Sequence, residues 1–176
     1  MVTNFSLFLA AALVIAAVPG PGIFYVAART LSEGRRAGFA STAGTALGGL
    51  VHVVAGSLGI SAIILASANL FAVVKFVGAI YLVWLGIKLI RSPVEGVSAD
   101  EPPPPPRGGF LLQGFVVALS NPKLLVFFGA FILQFMDMSR DHLSQVLVLG
   151  VTFMVLAGLT DGIYALLAGQ VRGFFS

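Results

Sequence analysis

Long apolar stretches alternate with short polar connections along the whole chain, and this pattern predicts its elements. A helix that spans a bilayer needs about 20 mostly apolar residues, and five stretches reach that length. The alternation of polar and apolar residues that marks barrel strands does not occur in them. The pattern therefore predicts an all-α integral membrane protein with about five transmembrane helices. These run from Phe5 to Ala28, Phe39 to Ala66, Leu70 to Ile90, Phe110 to Phe135 and Leu143 to Gly169.

The connections between these stretches differ in character. The second and third are joined around "ASANL", which predicts a tight turn, and the first and second by the charged loop "RTLSEGRR". The third and fourth are joined by "RSPVEGVSADEPPPPPRGG", whose consecutive prolines favour an extended polyproline conformation. This segment is either a stiff connector, which we favour, or a ligand for a proline-recognition domain. Residues 1–90 then form a first repeat of three helices, 91–109 a proline-rich cytoplasmic linker, and 110–176 a second repeat with two helices.

Composition supports the membrane assignment. The 176 residues are 58% hydrophobic and 10% charged, whereas soluble domains carry roughly 25% charged residues. The formal charge of +3 is expected to meet anionic lipid rather than nucleic acid, because no basic cluster alternates with aromatic residues. The absence of cysteine excludes disulfides and thiol catalysis. The opening "MVTNFSLF" contains no Lys or Arg, which favours a retained span over a cleaved signal peptide.

The distribution of Lys and Arg predicts the orientation in the membrane. If the five stretches alternate, one side receives seven basic residues and the other receives Arg140, with Lys75 near that interface. Because cytoplasmic loops are enriched in Lys and Arg, the N-terminus is predicted outside and the C-terminal tail inside. The seven are Arg29, Arg35, Arg36, Lys88, Arg91, Arg107 and Arg172.

Two of the apolar stretches are interrupted by proline near their middle. Pro19-Gly20-Pro21-Gly22 lies in the first stretch and Asn121-Pro122-Lys123 in the fourth. When the second break is laid over the first, proline on proline, both fall about 18 to 24 Å into their stretches at 1.5 Å per residue. Broken helices three spans apart lie in opposite orientations, which is typical of inverted-repeat transporters with a midplane binding site. The pattern indicates three-plus-three architecture with the last helix missing, and a plain proline kink is the alternative.

The breaks free backbone groups that suit a zwitterion. In lipid, a broken helix leaves N–H and C=O groups without partners, so it persists only where it is buried in protein or lines a wet cavity. The N–H groups suit a carboxylate and the carbonyls suit an ammonium. The predicted substrate-binding residues are Pro19, Gly20, Pro21, Gly22, Asn121, Pro122 and Lys123.

Ionisable side chains within the spans are candidates for proton coupling. Asp161 is expected to face protein or water, because a carboxylate in lipid is costly, and we predict that it carries the coupling proton. The alternative is a solvated carboxylate near the cytoplasmic interface. Tyr164, one turn later, can share its hydrogen bonds. Lys123 can pair with Asp161 or meet a substrate carboxylate, unless it snorkels to the interface.

His52 is a lesser candidate for proton coupling. Gly44, Gly48, His52 and Gly56 recur every four residues, so they share a helix face on which small residues permit close packing. We therefore expect His52 at a helix contact, as either a packed, hydrogen-bonded histidine or a proton relay. No metal site or cofactor is predicted, because the other histidine, His142, lies in a loop without a carboxylate at ligand spacing.

Motifs in all five spans carry a family resemblance. They are "VPGPG" in the first span, "RTLSEGRRAGFASTAGTALGGLVH" leading into the second, "VKFVGAIYLVWLGIKLIRS" in the third, "NPK" and "LQF" in the fourth and "TDGIYALLAGQVR" in the fifth. In this order they resemble the LysE/RhtB family of inner-membrane exporters of amino acids such as lysine, homoserine and threonine. The resemblance implies efflux driven by the proton gradient, with protons moving in as substrate moves out.

Three departures from the family pattern stand out. Gly22 stands where the family often has Asn, which removes one side-chain contact, and Leu133 stands where a proline usually precedes the Gln-Phe pair. The family usually has a sixth span, whereas this chain ends at "VRGFFS"; a truncated form, a completing partner or an incomplete repeat would each explain this. The family's Pro-Gly-Pro motif corresponds to Pro19, Gly20 and Pro21, its Asn-Pro-Lys motif to Asn121, Pro122 and Lys123, and its acidic position to Asp161.

These features predict a secondary transporter that exports neutral or basic amino acids across the bacterial inner membrane, coupled to the proton gradient. Its predicted partners are the amino acid, protons and membrane lipids but no nucleic acid, and homo-oligomerisation is left open. The alternatives are an exporter of a different small metabolite or cation and a non-transporting membrane subunit. An enzyme is not predicted, because no nucleophile with a neighbouring base, His-Glu metal pair or phosphate loop occurs.

Overall fold

Helices form almost all of the chain that the structure describes. The computed structural model describes residues 4–91, 108–137 and 139–175, and these residues contain no strand. A π-helical turn (Phe127–Phe131) and a 3-10 turn (Ile132–Phe135) follow α6 and complete the fourth apolar stretch. The α-helices are α1 (Phe5–Ala17), α2 (Pro21–Glu33), α3 (Arg35–Ala66), α4 (Ala68–Arg91), α5 (Gly109–Leu119), α6 (Pro122–Val126) and α7 (His142–Phe175).

Both predicted proline breaks are present. The axes of α1 and α2 meet at 47°, and α5 meets the helical segment Pro122–Phe135 at 44°. Proline occupies the first turn after each break, a position where its missing N–H costs no hydrogen bond. Each break is therefore a helix end followed at once by a helix start, because Gly20 and Asn121, which directly precede the prolines, are extended rather than helical.

Length and composition identify the segments that can cross a membrane. Within the described residues, Arg35–Ile60 of α3 and His142–Arg172 of α7 each suffice alone, and the two bent pairs raise the number to four if each pair is one span. The third apolar stretch also forms one helix, α4, of 24 residues, which is about 36 Å long at 1.5 Å per residue. The predicted all-α membrane fold is confirmed.

Some predicted boundaries were wrong. The segment "RTLSEGRR" is almost entirely helical, because α2 continues to Glu33 and α3 begins at Arg35. Only Gly34 separates them, with a φ of 92° that glycine adopts without strain at a helix end. The tight turn at "ASANL" is confirmed, since Ser67 alone separates α3 from α4. The proline-rich linker predicted over 91–109 lies, apart from its ends, outside the described residues.

The predicted glycine face of α3 packs against α5. A Cβ placed on Gly44 would clash with the Leu111 carbonyl, and one placed on Gly48 would lie 2.6 Å from the Phe115 carbonyl oxygen. Further along, His52 contacts the Ala118 carbonyl. Residue numbers rise together on both helices, so α3 and α5 run in the same direction at close approach, as small residues permit.

A cluster of phenylalanines joins α1 to the end of the fourth apolar stretch. The ring of Phe8, which is fully buried, lies 5.4 Å from the ring of Phe135 and 6.0 Å from that of Phe131. The other end of α1 contacts the start of α6, where Nζ of Lys123 donates to the Ala16 carbonyl. The two broken helices therefore run antiparallel. Tilted and edge-on rings at these distances add attraction beyond area burial, and they close one end of the space between the breaks.

Candidate functional site

A cavity lies where the two breaks meet. Its volume is about 40 Å³, room for about three water molecules when one needs about 10 to 15 Å³. Residues from α1, α2, α3, α5, α6 and α7 line it, so every helix except α4 contributes among those described. The end of α1 and the start of α2 line the cavity at the first break, and the start of α6 lines it at the second.

The two breaks face each other across this cavity. A Cβ placed on Gly20 would lie 3.4 Å from Cδ of Lys123, and one placed on Gly22 would lie 3.5 Å from Nδ2 of Asn121. The glycines therefore let the side chains of the second break approach the backbone of the first. The structure thus brings together four of the residues predicted from sequence, namely Gly20, Gly22, Asn121 and Lys123.

The two helix starts differ in how their backbone donors are satisfied. Asn121 caps α6, because its Oδ1 accepts from the N–H of Lys123 at 3.0 Å. At α2 the cap residue is Gly20, which has no side chain to accept a hydrogen bond. Its carbonyl takes only the N–H of Phe24, at 3.0 Å, so the N–H groups of Gly22 and Ile23 have no acceptor within the helix. Both residues line the cavity, so the positive end of α2 lies beside it.

Lys123 binds the end of α1 rather than a carboxylate. Its Nζ donates to the carbonyl oxygens of Ala16 at 3.1 Å and Val18 at 2.8 Å. These carbonyls end α1 and lack partners within that helix, and a cation is favoured at the negative end of a helix. The suggested pairing with Asp161 is not formed, because no ion pair joins these two described residues.

Asp161 is buried and hydrogen-bonded. Its side chain on α7 is 8% exposed, so the alternative of a solvated carboxylate at the interface does not fit. Oδ2 accepts from Oγ1 of Thr45 on α3 at 2.9 Å, and Asp161 and Thr45 both line the cavity. Tyr164 does not share this bond; its hydroxyl donates to the Ala17 carbonyl at 3.2 Å.

His52 and the prolines lie outside the cavity lining. His52 packs at the predicted helix contact, where Nε2 is 3.1 Å from the Ala118 carbonyl oxygen and the ring stacks on Phe128. The side chains of Pro19, Pro21 and Pro122 are exposed on the outside of the bends. The prolines create the breaks by their effect on the backbone, and the adjacent glycines and polar residues form the cavity surface.

Sequence reasoning missed Thr45 and the apolar wall. Thr45 follows Gly44 directly, but a single threonine in a span carries no distinctive signal. Phe153, Met154 and Ile23 also line the cavity, and in the sequence they are indistinguishable from core residues. The cavity is therefore a mixed site: one helix start, one carboxylate, one ammonium group and an apolar wall.

Arg29 was missed as a structural residue because the sequence indicated only its charge. It is 1% exposed, and its Nη2 donates to Oε1 of Gln113 at 2.9 Å, which ties α2 to α5. The guanidinium carbon lies 5.8 Å from the centre of the Tyr25 ring and 5.9 Å from that of Phe110. Tyr25 also donates to the Phe110 carbonyl at 2.9 Å. These contacts close the end of the bundle opposite to the phenylalanine cluster.

The residues present do not suit a metal. Within residues 4–91, 108–137 and 139–175, no three His, Asp or Glu side chains come together closely enough to hold an ion.

Two antiparallel broken helices around a buried polar cavity are the arrangement of helical membrane transporters. Comparison with known proteins gives the same class and a family. The chain belongs to the LysE type translocator family, whose model matches residues 13–175.

Individual relatives agree with this membership. An uncharacterized membrane protein of Vibrio cholerae is 34% identical over 164 residues, which cover 93% of this chain and 80% of the relative. A leucine efflux protein of Enterobacter sp. is 31% identical over 89% of this chain and 72% of its own length. The leucine efflux protein of Salmonella typhimurium is 29% identical over 89% of this chain and 71% of its own length. No solved structure matches the chain at a significant level.

Proposed function

We propose that the protein exports neutral amino acids with apolar side chains from the cytoplasm in exchange for protons. The observation that carries the proposal is the mixed cavity, which presents an anion site, a carboxylate and an apolar wall within one small space. A free amino acid has three matching groups: a carboxylate, an ammonium and a side chain. Relatives named leucine efflux proteins support the same substrate class.

The substrate carboxylate is assigned to the start of α2. Gly22 and Ile23 line the cavity, their N–H groups have no acceptor in their own helix, and the helix dipole favours negative charge there. Lys123 adds positive charge nearby while it remains bound to α1. The start of α6 is the poorer choice, because Asn121 already caps it and α6 has only five residues.

Asp161 is assigned to both the substrate ammonium and the proton. A buried carboxylate is costly unless it is paired or neutralised, so binding of an ammonium and binding of a proton are alternatives at one site. Such competition yields exchange, since the proton must leave before the ammonium can bind. The apolar wall formed by Phe153 and Met154 then receives the substrate side chain. A basic side chain would need a second carboxylate, and Asp161 is the only one among the described lining residues.

The cavity must enlarge for an amino acid to enter. With space for about three water molecules, it is smaller than the proposed substrate. We propose that the two halves rock against each other, so that the Arg29–Gln113 end and the phenylalanine end separate in turn. The bent helices form the contacts at both ends, because one half of each bent helix lies at the Arg29–Gln113 end and the other half at the phenylalanine end.

Contacts between the breaks support the proposal that residues 1–90 and 110–176 are inverted repeats. The alignment that lays Asn121-Pro122-Lys123 over Gly20-Pro21-Gly22 shifts the numbering by 101 residues. Under this shift, the contact between Gly20 and Lys123 becomes the contact between Asn121 and Gly22, and both are present. A pair of contacts that exchange in this way is expected of two units related by a two-fold axis.

A second pair of contacts follows the same alignment elsewhere in the fold. A Cβ placed on Gly49 of α3 would clash with Met154 of α7. The same shift converts this pair into Gly150 and Val53, and a Cβ placed on Gly150 would lie 3.2 Å from Val53. Since this contact joins different helices from the first, it supports the repeat independently.

The proposed orientation has the N-terminus outside, in the bacterial inner membrane. Arg172 donates to the Leu31 carbonyl at 3.1 Å, and Arg35 packs on Gly169, so these basic residues gather at one end of α7. Arg140 lies at the other end, where it pairs with Asp137. Because the basic residues collect on the cytoplasmic side, the Arg172 end of the bundle is assigned to the cytoplasm.

Transport by purified protein in liposomes tests the proposal. Vesicles loaded with leucine, threonine, lysine or glutamate are diluted into amino-acid-free buffer, with and without an inward proton gradient. We expect leucine efflux that the gradient accelerates. Lysine and glutamate efflux should stay at the level of vesicles without protein. Absence of efflux for every amino acid would contradict the exporter, and gradient-independent leucine efflux would contradict proton exchange.

Asp161→Asn sharpens this experiment. We expect it to abolish gradient-driven efflux, because the Asn amide neither binds the proton nor pairs with the substrate ammonium. Glu33→Gln is the matched control, since Glu33 lies exposed on α2 outside the cavity lining. Efflux by Asp161→Asn at the wild-type rate, with the control also unchanged, would remove Asp161 from the mechanism.

A further inference from the structure

The Thr45 hydroxyl occupies an unusual position between two acceptors. Its Oγ1 lies 2.9 Å from Oδ2 of Asp161 and 2.9 Å from the carbonyl oxygen of Thr42. A hydroxyl has one hydrogen to donate and two lone pairs with which to accept. It therefore donates fully to only one of these oxygens at a time, and rotation about a single bond exchanges them.

The choice between the two acceptors depends on the charge of Asp161. An ionised carboxylate can only accept, so the Thr45 hydroxyl then points at Oδ2. A protonated carboxyl can donate, so Thr45 then accepts from Asp161 and turns its own hydrogen to the Thr42 carbonyl, 2.9 Å away. In both states the hydroxyl of Thr45 and Oδ2 of Asp161 stay hydrogen-bonded to each other without movement of either helix. Thr45 is 6% exposed and Asp161 8% exposed, so both ends of this hydrogen bond are buried.

The titratable groups near Asp161 are hydrogen-bonded elsewhere. Lys123 is the other charged side chain in the cavity lining, and its ammonium donates to α1. Tyr164, on the same helix as Asp161, donates to Ala17, and His52 of α3 contacts Ala118. The lining residues contributed by α1, α2 and α5 carry no titratable side chain. Thr45 is thus the side-chain hydrogen-bond partner of the Asp161 carboxyl among the described residues.

We propose that Thr45 is a positioning residue that holds Asp161 ready for both protonation states, donating to the carboxylate and accepting from the acid. This assignment rests on the proposed function, in which Asp161 takes up and releases a proton. Thr45 itself neither gains nor loses a proton in the cycle. Its hydrogen bond stabilises the charged carboxylate more than the neutral acid, because hydrogen bonds to ionised groups are about twice as strong.

The test measures the protonation of Asp161 directly and does not require transport. Infrared spectra of the protein in lipid vesicles follow the C=O band of the protonated carboxyl as a function of pH, and Asp161→Asn identifies the band. Thr45→Val removes the hydroxyl while keeping the branched shape. We expect the titration midpoint to rise by about 0.5 to 1 pH units, because the variant loses a hydrogen bond to the carboxylate and one of about half that strength to the acid.

Three further variants make the result specific. Thr45→Ser restores the hydroxyl and should return the midpoint to the wild-type value. Thr45→Ala removes the hydroxyl with a smaller side chain, and it replaces the valine variant if that variant elutes as an aggregate. Thr152→Val is the matched control, because the Thr152 hydroxyl donates only to the Val148 carbonyl of its own helix. The control should leave the midpoint unchanged.

The outcomes separate this proposal from the proposed function. An unchanged midpoint in the folded Thr45→Val and Thr45→Ala variants overturns the role of Thr45, and so does an equal shift in Thr152→Val. If the midpoint shifts as expected while wild-type vesicles show no proton-driven efflux, Thr45 keeps its role and the transport proposal fails. If efflux is proton-driven and the midpoint does not shift, the transport proposal stands and the role of Thr45 fails.

Discussion

The contact between α3 and α5 allows a sharp test of the packing that positions the site. Gly48 lies in the middle of this contact, where an added Cβ would lie 2.6 Å from the Phe115 carbonyl oxygen and 2.7 Å from Cβ of Ala118. Ordinary contacts begin near 3.4 Å, so Gly48→Ala requires the helices to separate by about 0.7 to 0.8 Å. One neighbour is backbone, which cannot move aside without moving α5.

The size of the stability change follows from a comparison with a second glycine-to-alanine variant on α3. Overpacking a tight contact costs about 1 to 3 kcal/mol, but alanine also favours helix over glycine by about 0.8 to 1.0 kcal/mol. Gly59→Ala carries the second effect alone, because a Cβ on Gly59 meets no described atom within 4 Å. The difference between the two variants isolates the contact. We expect Gly48→Ala to unfold with a free energy about 1 to 3 kcal/mol below that of Gly59→Ala.

Thermal unfolding in one detergent measures this difference. For a chain of this size, 1 kcal/mol corresponds to about 2 to 4 °C in Tm, so Gly48→Ala should melt about 2 to 12 °C below Gly59→Ala. Circular dichroism suffices as the readout, since both variants retain the same helix content when folded. Equal melting temperatures would refute the close approach of α3 and α5.

Three further predictions concern the ends of the bent helices. Lys123→Met should lower the unfolding free energy by about 1 to 3 kcal/mol in a chemical-denaturation assay, because the end of α1 loses a charged donor; an unchanged value would contradict the cap. Replacing both Pro19 and Pro21 with Ala should straighten the 47° bend and stop efflux from liposomes; wild-type efflux would show that the bend is architectural. Arg29→Met should lower Tm, whereas Arg36→Met, at an exposed position, should not; equal Tm values would argue against the buried contact with α5.

Local chemistry explains which features the sequence predicts. Proline in the interior of a helix removes a hydrogen bond and clashes with the preceding turn, so an apolar stretch that contains Pro21 or Pro122 must break there, whatever the fold. Glycine at every fourth position likewise predicts a close helix contact, and Gly44 and Gly48 form one. The spacing does not predict that α5 is the partner, because a pattern within one helix carries no information about its neighbour.

Features that depend on tertiary contacts are not predictable in this way. Thr45 and Asp161 are 116 residues apart in sequence, and neither residue type specifies the other as a partner. The choice of Lys123 between a carboxylate and two carbonyls depends on where α1 ends in space. The segment "RTLSEGRR" illustrates the opposite error: its charge suggests a loop, but Arg, Leu and Glu are good helix formers, so only Gly34 interrupts the helix.

The two breaks are alike in geometry and different in chemistry, and this difference gives the site its polarity. In α6 the Asn121 side chain occupies the helix start, whereas in α2 the corresponding cap is Gly20, which has no side chain, and Gly22 and Ile23 line the cavity. In the proposed binding mode, a substrate carboxylate meets one favourable helix start rather than two equivalent ones. Because Asp161 is the single carboxylate of the described lining, this proposed mode gives the amino acid one preferred direction, with its side chain against the apolar wall. The proposed two-fold scaffold would then bind an asymmetric molecule because the residues at its two helix starts differ.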